Sequence, residues 1–462
     1  MTDAPTPGTP RAAVIVTGTE VLGGWVTDRN GPWLARRLGA LGVRHVTTIT
    51  VGDRPEDLLG ALEDVGRRGI DLVLTSGGLG PTEDDLTTET VAAFTGRPLA
   101  LDEALESRIW ERVLAFVRRR GGEPMMDLDA LRAANRKQAL VPAGAAVLEP
   151  LGTAPGLVVP GEHGVVDGAA SATDEAAPAR GRTTVPTVVV LPGPPRELEP
   201  MWLAVEDGDL LDVALRGAVR QGESTLRVFG IHEAQLADLL RDARRDGVPV
   251  DRLEVTTCAH RGELEVVTRW DPSEEASAIA LEEYIAATVP KALYSRDGRG
   301  VADHVLDLAR DLGWTAGTAE SCTGGLVAAA LTDVPGSSDV VHGGVVAYDD
   351  DIKRRVLRVD GGDLAEHGAV SAAVAQQMAR GALDALHVDI AVSTTGVAGP
   401  GGGTEAKPVG TVFVAVATRD GRDEVRHISV PGDRASVRER TVTSTLHLLR
   451  RVLADALAER GR

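Results

Sequence analysis

Asp71-Leu72-Val73-Leu74-Thr75-Ser76-Gly77-Gly78-Leu79-Gly80-Pro81-Thr82-Glu83-Asp84-Asp85 runs from a short apolar segment into a glycine-rich turn that ends on paired carboxylates. An apolar run of this length bounded by turn residues reads as a buried strand. Before this stretch, residues 12–16 read as another buried strand, 30–41 as an amphipathic helix, 46–51 as a strand and 55–67 as a second helix. Strands alternating with helices make a mostly parallel, doubly wound sheet, whose ligand crevice lies beyond the carboxyl ends of the strands. Gly18-Thr19-Glu20, Asp53 and residues 77–85 all fall at such ends. Gly18, Gly77, Gly78 and Gly80, with Thr82, can cradle phosphate through backbone amides, and Asp84 and Asp85 are hard oxygen ligands suited to a divalent cation. Taken singly, each is also an ordinary loop or helix cap.

The last third of the chain carries a second constellation. Ala319-Glu320-Ser321-Cys322-Thr323-Gly324-Gly325 sits between a short apolar strand at 314–318 and a helix-forming run at 326–331. That placement puts the Ser321 hydroxyl beside the first amides of the helix, which are expected to be unpaired and so open to an oxyanion or a phosphate. The plainer reading is a serine helix cap. Cys322 is a rival nucleophile or a small buried packing residue. Residues 340–348 read as a strand that delivers Tyr348-Asp349-Asp350-Asp351-Ile352-Lys353 to the next helix. A serine needs a base, no histidine is near in sequence, and a lysine desolvated in a pocket can serve. The alternative for Lys353 is a solvated helix lysine. After a strand at 390–394, Gly399-Pro400-Gly401-Gly402-Gly403-Thr404-Glu405-Ala406-Lys407-Pro408-Val409-Gly410 offers exposed amides and a cation, which suit a phosphate or a carboxylate.

These residues, with Gly432-Asp433-Arg434, resemble the C-terminal domain of the CinA (competence/damage-inducible) family. The resemblance implies a nicotinamide-nucleotide amidohydrolase that converts NMN to nicotinic acid mononucleotide and ammonia. Ser321 would be its nucleophile, Lys353 its base and Tyr348 an assisting group. It also implies that Thr323, Gly324, Gly325, Gly399, Gly402, Gly403, Thr404, Lys407 and Arg434 hold the nucleotide, with no cofactor in this domain. The sequence departs from the family pattern at Asp349-Asp350, where Ser-Asn is often found, and at Gly401, where a non-glycine residue is usual. The added carboxylates bear on the charge of the substrate accepted.

The N-terminal half resembles the molybdopterin-binding (MoaB/MogA-like) domain in the version that CinA proteins carry. The residues concerned are Gly18-Thr19-Glu20-Val21-Leu22, Asn30, residues 77–85 with Thr87, Asn135-x-x-Gln138-Ala139, Gly152-Thr153-Ala154-Pro155-Gly156 and Leu191-Pro192-Gly193-Pro194-Pro195. In that setting the resemblance implies a metal-dependent ADP-ribose pyrophosphatase, with a divalent ion near Asp84, Asp85 and Asp53. Such an ion neutralises a diphosphate and activates water. The alternatives are molybdopterin binding, or a competence-linked nucleotide sensor or scaffold in which Ser321 only caps a helix.

Composition sets outer bounds. A chain of 462 residues holds two or three domains. Its net charge of -19 points away from a nucleic-acid partner, and Arg118-Arg119-Arg120 and Arg450-Arg451 read as solvated helix ends. Cys258 and Cys322 are the only cysteines, so a disulfide framework is not expected and a reducing cytoplasm is. The sequence offers no apolar run of membrane-spanning length and no basic-then-apolar signal at its start. The ten histidines lack metal-ligand spacing.

The expected organisation is a disordered tail at 1–10, a molybdopterin-binding-like domain at 11–213, a small α+β module at 214–297 and the C-terminal domain at 298–462. Residues 162–186, rich in Ala, Gly, Asp and Thr, read as a disordered insertion at a hairpin tip. In the module, 226–229, 253–257 and 263–268 read as strands and 233–244 and 273–288 as helices. CinA proteins have a KH-like domain here. Without a Gly-x-x-Gly loop in a basic patch, spacing and homodimer contacts are the better expectation than RNA. The last domain, with a hairpin across Arg419-Asp420-Gly421-Arg422, reads as a three-layer α/β/α sandwich on a mixed sheet.

Overall fold

The computed structural model describes residues 9–119, 128–161 and 185–461. Most of the expected tail and nearly all of the expected insertion lie outside the described residues, as does Arg120. The chain divides into two compact units at Gly222/Glu223.

In the first unit the strands are β1 (Arg11–Thr17), β2 (Arg44–Val51), β3 (Leu72–Ser76), β4 (Leu99–Leu101), β5 (Leu140–Pro142), β6 (Ala146–Leu148), β7 (Gly156–Val159) and β8 (Thr187–Leu191). Six of them form one sheet in the order β2-β1-β3-β8-β7-β6, parallel as far as β8 and antiparallel beyond it, while β4 and β5 pair separately. β3 and β8 are buried along their whole length because helices cover both faces. Leu34 and Leu38 of helix Asn30–Ala40 and Leu198 and Trp202 of helix Pro195–Glu206 pack on one face. Leu58, Leu62 and Val65 of helix Pro55–Arg67, with Val91, pack on the other. The chain leaves β1 for β2 on one side and comes back to β3 on the other, so the switch point of the sheet lies at the carboxyl ends of β1 and β3. Gly77 makes the turn there, with φ 107°, and a Cβ on it would lie 2.5 Å from the Thr17 carbonyl oxygen.

The second unit begins with β9 (Gly222–Phe229), β10 (Glu254–His260), β11 (Glu263–Trp270) and β12 (Leu293–Ser295), in the order β10-β11-β9-β12. Helices Glu233–Arg245 and Glu275–Thr288 close a small core of their own on this sheet. There follow β13 (Ala316–Glu320), β14 (Val341–Val346), β15 (Ile390–Gly396), β16 (Thr411–Thr418) and β17 (Asp423–Ser429). Their order is β14-β13-β15-β16-β17, with the first three parallel and the last two antiparallel. Helices Val301–Leu312 and Arg434–Arg460 bury one face, and helix Ala372–Leu386 with Asp350–Leu357 buries the other. This is the α/β/α sandwich on a mixed sheet that the pattern predicts.

The 27-residue helix Arg434–Arg460 also meets the β9–β12 module. Its His447 ring stacks on Phe229 at 3.8 Å, lies edge-on to Tyr294 at 4.6 Å, and brings Nε2 to 2.6 Å from Glu263 Oε1. Burial holds the imidazole below its usual pKa, so the ring is neutral and its Nε2 proton is donated to the carboxylate. Among the described residues no helix is long and apolar enough to cross a membrane.

Candidate active site

β13 delivers Ser321 between two neighbouring strand ends. The Ala347 amide donates to the Glu320 carbonyl at 2.8 Å, and the Ser321 amide donates to the Thr394 carbonyl at 2.9 Å. Ser321 itself is half-buried. The helix that follows starts only at Leu326, after two left-handed glycines, and is seven residues long. Its first amides are not unpaired, contrary to the sequence expectation. The Glu320 carboxylate, 1% exposed, accepts from the amides of Gly325 (2.9 Å), Val327 (3.0 Å) and Ala328 (2.8 Å) and from the Thr323 hydroxyl (2.7 Å). An acidic side chain of the motif itself thus fills the place foreseen for an oxyanion or phosphate. Thr323, expected to touch the nucleotide, is fully buried, with its hydroxyl also 2.7 Å from that of Thr394. Cys322 is buried too, and burial pushes its thiol up to about 11, which fits a packing residue and not a thiolate nucleophile.

Lys353 is not a solvated helix lysine. It is 1% exposed, and its Nζ donates to the Tyr348 carbonyl at 3.3 Å and to Asp350 Oδ1 at 3.0 Å. Tyr348 is 62% exposed, and its hydroxyl accepts from Arg434 Nη2 at 3.0 Å, while Arg434 Nη1 donates to the Gly399 carbonyl at 2.9 Å. Arg434 therefore ties the β14 end to the glycine loop. In that loop Gly402 and Gly403 are exposed, and the Thr404 hydroxyl accepts from the Lys407 amide at 3.0 Å. The Lys407 amine donates to the His367 carbonyl at 2.6 Å, so its charge is engaged at the end of a neighbouring helix. Gly324 is exposed, and a Cβ on it would come within 3.4 Å of Arg438 Nη2.

In the first unit a cavity of about 380 Å3 opens at the carboxyl ends of β1, β3 and β8. Its walls include Gly18, Asp53, Gly78, Gly80, Asp84, Asp85 and Glu197. Two of the expected phosphate-binding amides have other partners: Gly18 donates to Val51 and Gly77 to Leu191. The Thr82 amide donates to Asp85 Oδ2 at 3.0 Å, and its hydroxyl lies 2.5 Å from Asp84 Oδ1 and 2.6 Å from Asp85 Oδ2. The Thr82 hydroxyl holds the Asp84 carboxyl below the usual carboxylate range. Two carboxylate oxygens thus converge on one hydroxyl, an all-oxygen donor set that would suit a small hard cation. Asp53 is not part of that pair; its Oδ2 accepts from the Thr19 amide at 2.8 Å. Asp53, Asp84 and Asp85 all line this cavity, and among the described residues no group of three or more His, Cys, Asp or Glu side chains is gathered as a metal cluster.

A family profile described as the CinA C-terminal domain matches residues 299–453, and one described as a probable molybdopterin binding domain matches residues 13–208. A CinA-like protein of Mycolicibacterium vanbaalenii is 50% identical over 445 residues, covering 96% of this chain and 98% of its own. The chain belongs to the CinA family. A CinA-like protein of Mycobacterium tuberculosis is 46% identical, with 96% and 97% covered. Among solved structures, the competence/damage inducible protein CihA of Agrobacterium tumefaciens is 42% identical over 33% of this chain and 93% of its own, with a TM-score of 0.33. CinA of Thermoplasma acidophilum is 28% identical over 44% and 98%, with a TM-score of 0.32.

Besides Glu320, three residues of this CinA chain stand at the two sites without a role readable from their sequence surroundings. Arg438, one turn into the last helix, donates from Nε to the Cys322 carbonyl at 3.2 Å and from Nη2 to the Thr323 carbonyl at 2.7 Å. Lys137 clasps the loop after β3 through the carbonyls of Thr82 and Asp85. Glu197 lines the cavity half-buried, and burial raises its carboxyl. Only the spacing of Arg438 four residues after Arg434 was a readable signal. The two departures from the family pattern also resolve. Asp349 caps the next helix by accepting from the Asp351 amide at 2.8 Å, and a Cβ on Gly401 would meet open space.

Proposed function

We propose that the C-terminal domain hydrolyses the carboxamide of NMN to nicotinic acid mononucleotide and ammonia. The observation that carries this reading is the burial of the Lys353 amine under the end of β14, the strand next to the one that delivers Ser321. Ser321 Oγ attacks the carboxamide carbon as its proton passes to Lys353. The tetrahedral adduct then breaks its C–N bond, the proton leaves with ammonia, and water cleaves the acyl-serine to free the acid and restore the hydroxyl. Asp350, at 3.0 Å from the Lys353 amine, connects it to solvent. Arg434, which donates to Tyr348 and to the Gly399 carbonyl, supplies a cation beside the glycine loop for the nucleotide phosphate. The test is ammonia release from NMN by the wild type and by Ser321→Ala. Equal rates would overturn the serine mechanism, and no release from either would favour a nucleotide-binding protein without amidase activity.

For the N-terminal domain we propose metal-dependent cleavage of ADP-ribose, favoured by the convergence of Asp84 and Asp85 on Thr82. Asp84 and Asp85 would hold a divalent ion, which supplies charge neutralisation for a diphosphate and an activated water. Gly78 and Gly80 present backbone to the same cavity, and Lys137 keeps the loop in shape. Turnover with and without a divalent metal, compared with Asp84→Ala, tests this reading.

A further inference from the structure

We infer that Glu320 is a positioning residue for Ser321, its carboxylate serving as a built-in anion that fixes the backbone of the nucleophile. The inference rests on the reading of Ser321 as nucleophile. An ionised carboxylate only accepts hydrogen bonds, and Glu320 receives four, three from backbone amides and one from Thr323. Because Thr323 gives its proton to Glu320, the 2.7 Å contact between the hydroxyls of Thr323 and Thr394 must be donated by Thr394. Thr394 in turn receives the Ser321 amide on its carbonyl. The result is a closed circuit of Glu320, Thr323, Thr394 and Ser321, all but the last fully buried, that locks the turn to β13 and β15 at once.

The circuit has two consequences. The amides of Gly325, Val327 and Ala328 are already satisfied by Glu320, so anion recognition in this site does not use them. The direction of the hydroxyl chain is set by the charge on Glu320, since an amide in its place would offer a donor where four donors already point inward. A merely space-filling role would tolerate that exchange, and a positioning role would not.

The experiment uses the full chain, with two readouts: ammonia release from NMN, and the rate at which a fluorophosphonate probe labels Ser321. Glu320→Gln is expected to lower kcat and the labelling rate by about 100-fold, the loss typical of a nucleophile displaced by an ångström, with KM little changed. Glu320→Ala leaves a carboxylate-shaped hole lined by amide N–H groups, and added formate is expected to restore labelling about tenfold. Wild-type labelling in Glu320→Gln, or no response of Glu320→Ala to formate while circular dichroism shows it folded, would overturn the inference. Failure of the wild type to label at Ser321 would do so as well. If the wild type labels but releases no ammonia from NMN, the substrate reading fails and the labelling rates still decide the role of Glu320.

Discussion

Lys353 Nζ and Asp350 Oδ1 lie 3.0 Å apart with side-chain exposures of 2% and 60%, so one ion pair joins a sealed amine to open water. Lys353→Met keeps most of the buried volume and removes the amine. It is expected to lower kcat for ammonia release by about 10²–10⁴-fold, the range of a lost general base, with a smaller change in KM. Asp350→Asn keeps an acceptor oxygen on the solvent side and is expected to leave the thermal midpoint nearly unchanged. Steady-state kinetics and thermal unfolding on the two variants check both.

Cys322 is expected to be chemically silent. With its thiol pushed to about 11 by burial, only a trace of thiolate exists at neutral pH. Cys322→Ala should keep ammonia release within about threefold of wild type, and iodoacetamide should not inactivate the native protein. Loss of activity in this variant alone would point instead to the thiol.

The pair of His447 and Glu263 makes stability fall on acidification. Burial lowers the folded pKa of His447, so the unfolded chain binds the proton more readily once pH drops below about 6.5, and stability is lost from there downward. Burial also pushes the Glu263 carboxyl up, but the His447 hydrogen bond, followed by Tyr294 and the nearby charges, outweighs it and the carboxyl is held low. Its contribution is present above about pH 4.5 and disappears as pH falls through its folded value. Thermal midpoints at pH 7.5, 6.5 and 5.5 should therefore decline, and His447→Leu should flatten that decline.

Two glycines separate a backbone requirement from free space. Gly77→Ala forces a side chain into a left-handed conformation against the Thr17 carbonyl and is expected to destabilise the first unit by at least about 1–2 kcal/mol. Gly401→Ala meets nothing and should be neutral to within about 0.5 kcal/mol. Denaturant midpoints on the two variants provide the comparison.

In the first unit, Asp84→Asn and chelation by EDTA are each expected to abolish ADP-ribose turnover, with ammonia release from NMN untouched. A parallel assay of both substrates on one preparation separates the two domains.

The parallel strands were readable because burial on both faces makes them nearly pure apolar runs, and helix Pro55–Arg67 falls on its expected residues. β12, three residues long, carried too little pattern to find. At the site, Ser321, Lys353 and the glycine loop announced themselves by residue type and spacing. Glu320 stands inside the same motif without a signal of its own, because a carboxylate at the end of a buried strand gives no periodicity. Its role depends on how the turn folds back over it. Arg438 offered only its four-residue spacing from Arg434, since its partners are main-chain carbonyls more than a hundred residues away.

The stack of His447 on Phe229 carries a practical corollary for anyone trimming this protein. Cutting the chain just before Val301 would leave the last helix with an uncovered imidazole face and a proton that no longer has Glu263 to receive it. A C-terminal fragment made this way would expose an aromatic face that the longer chain keeps covered, and Phe229, Glu263 and Tyr294 mark where a longer boundary should be drawn.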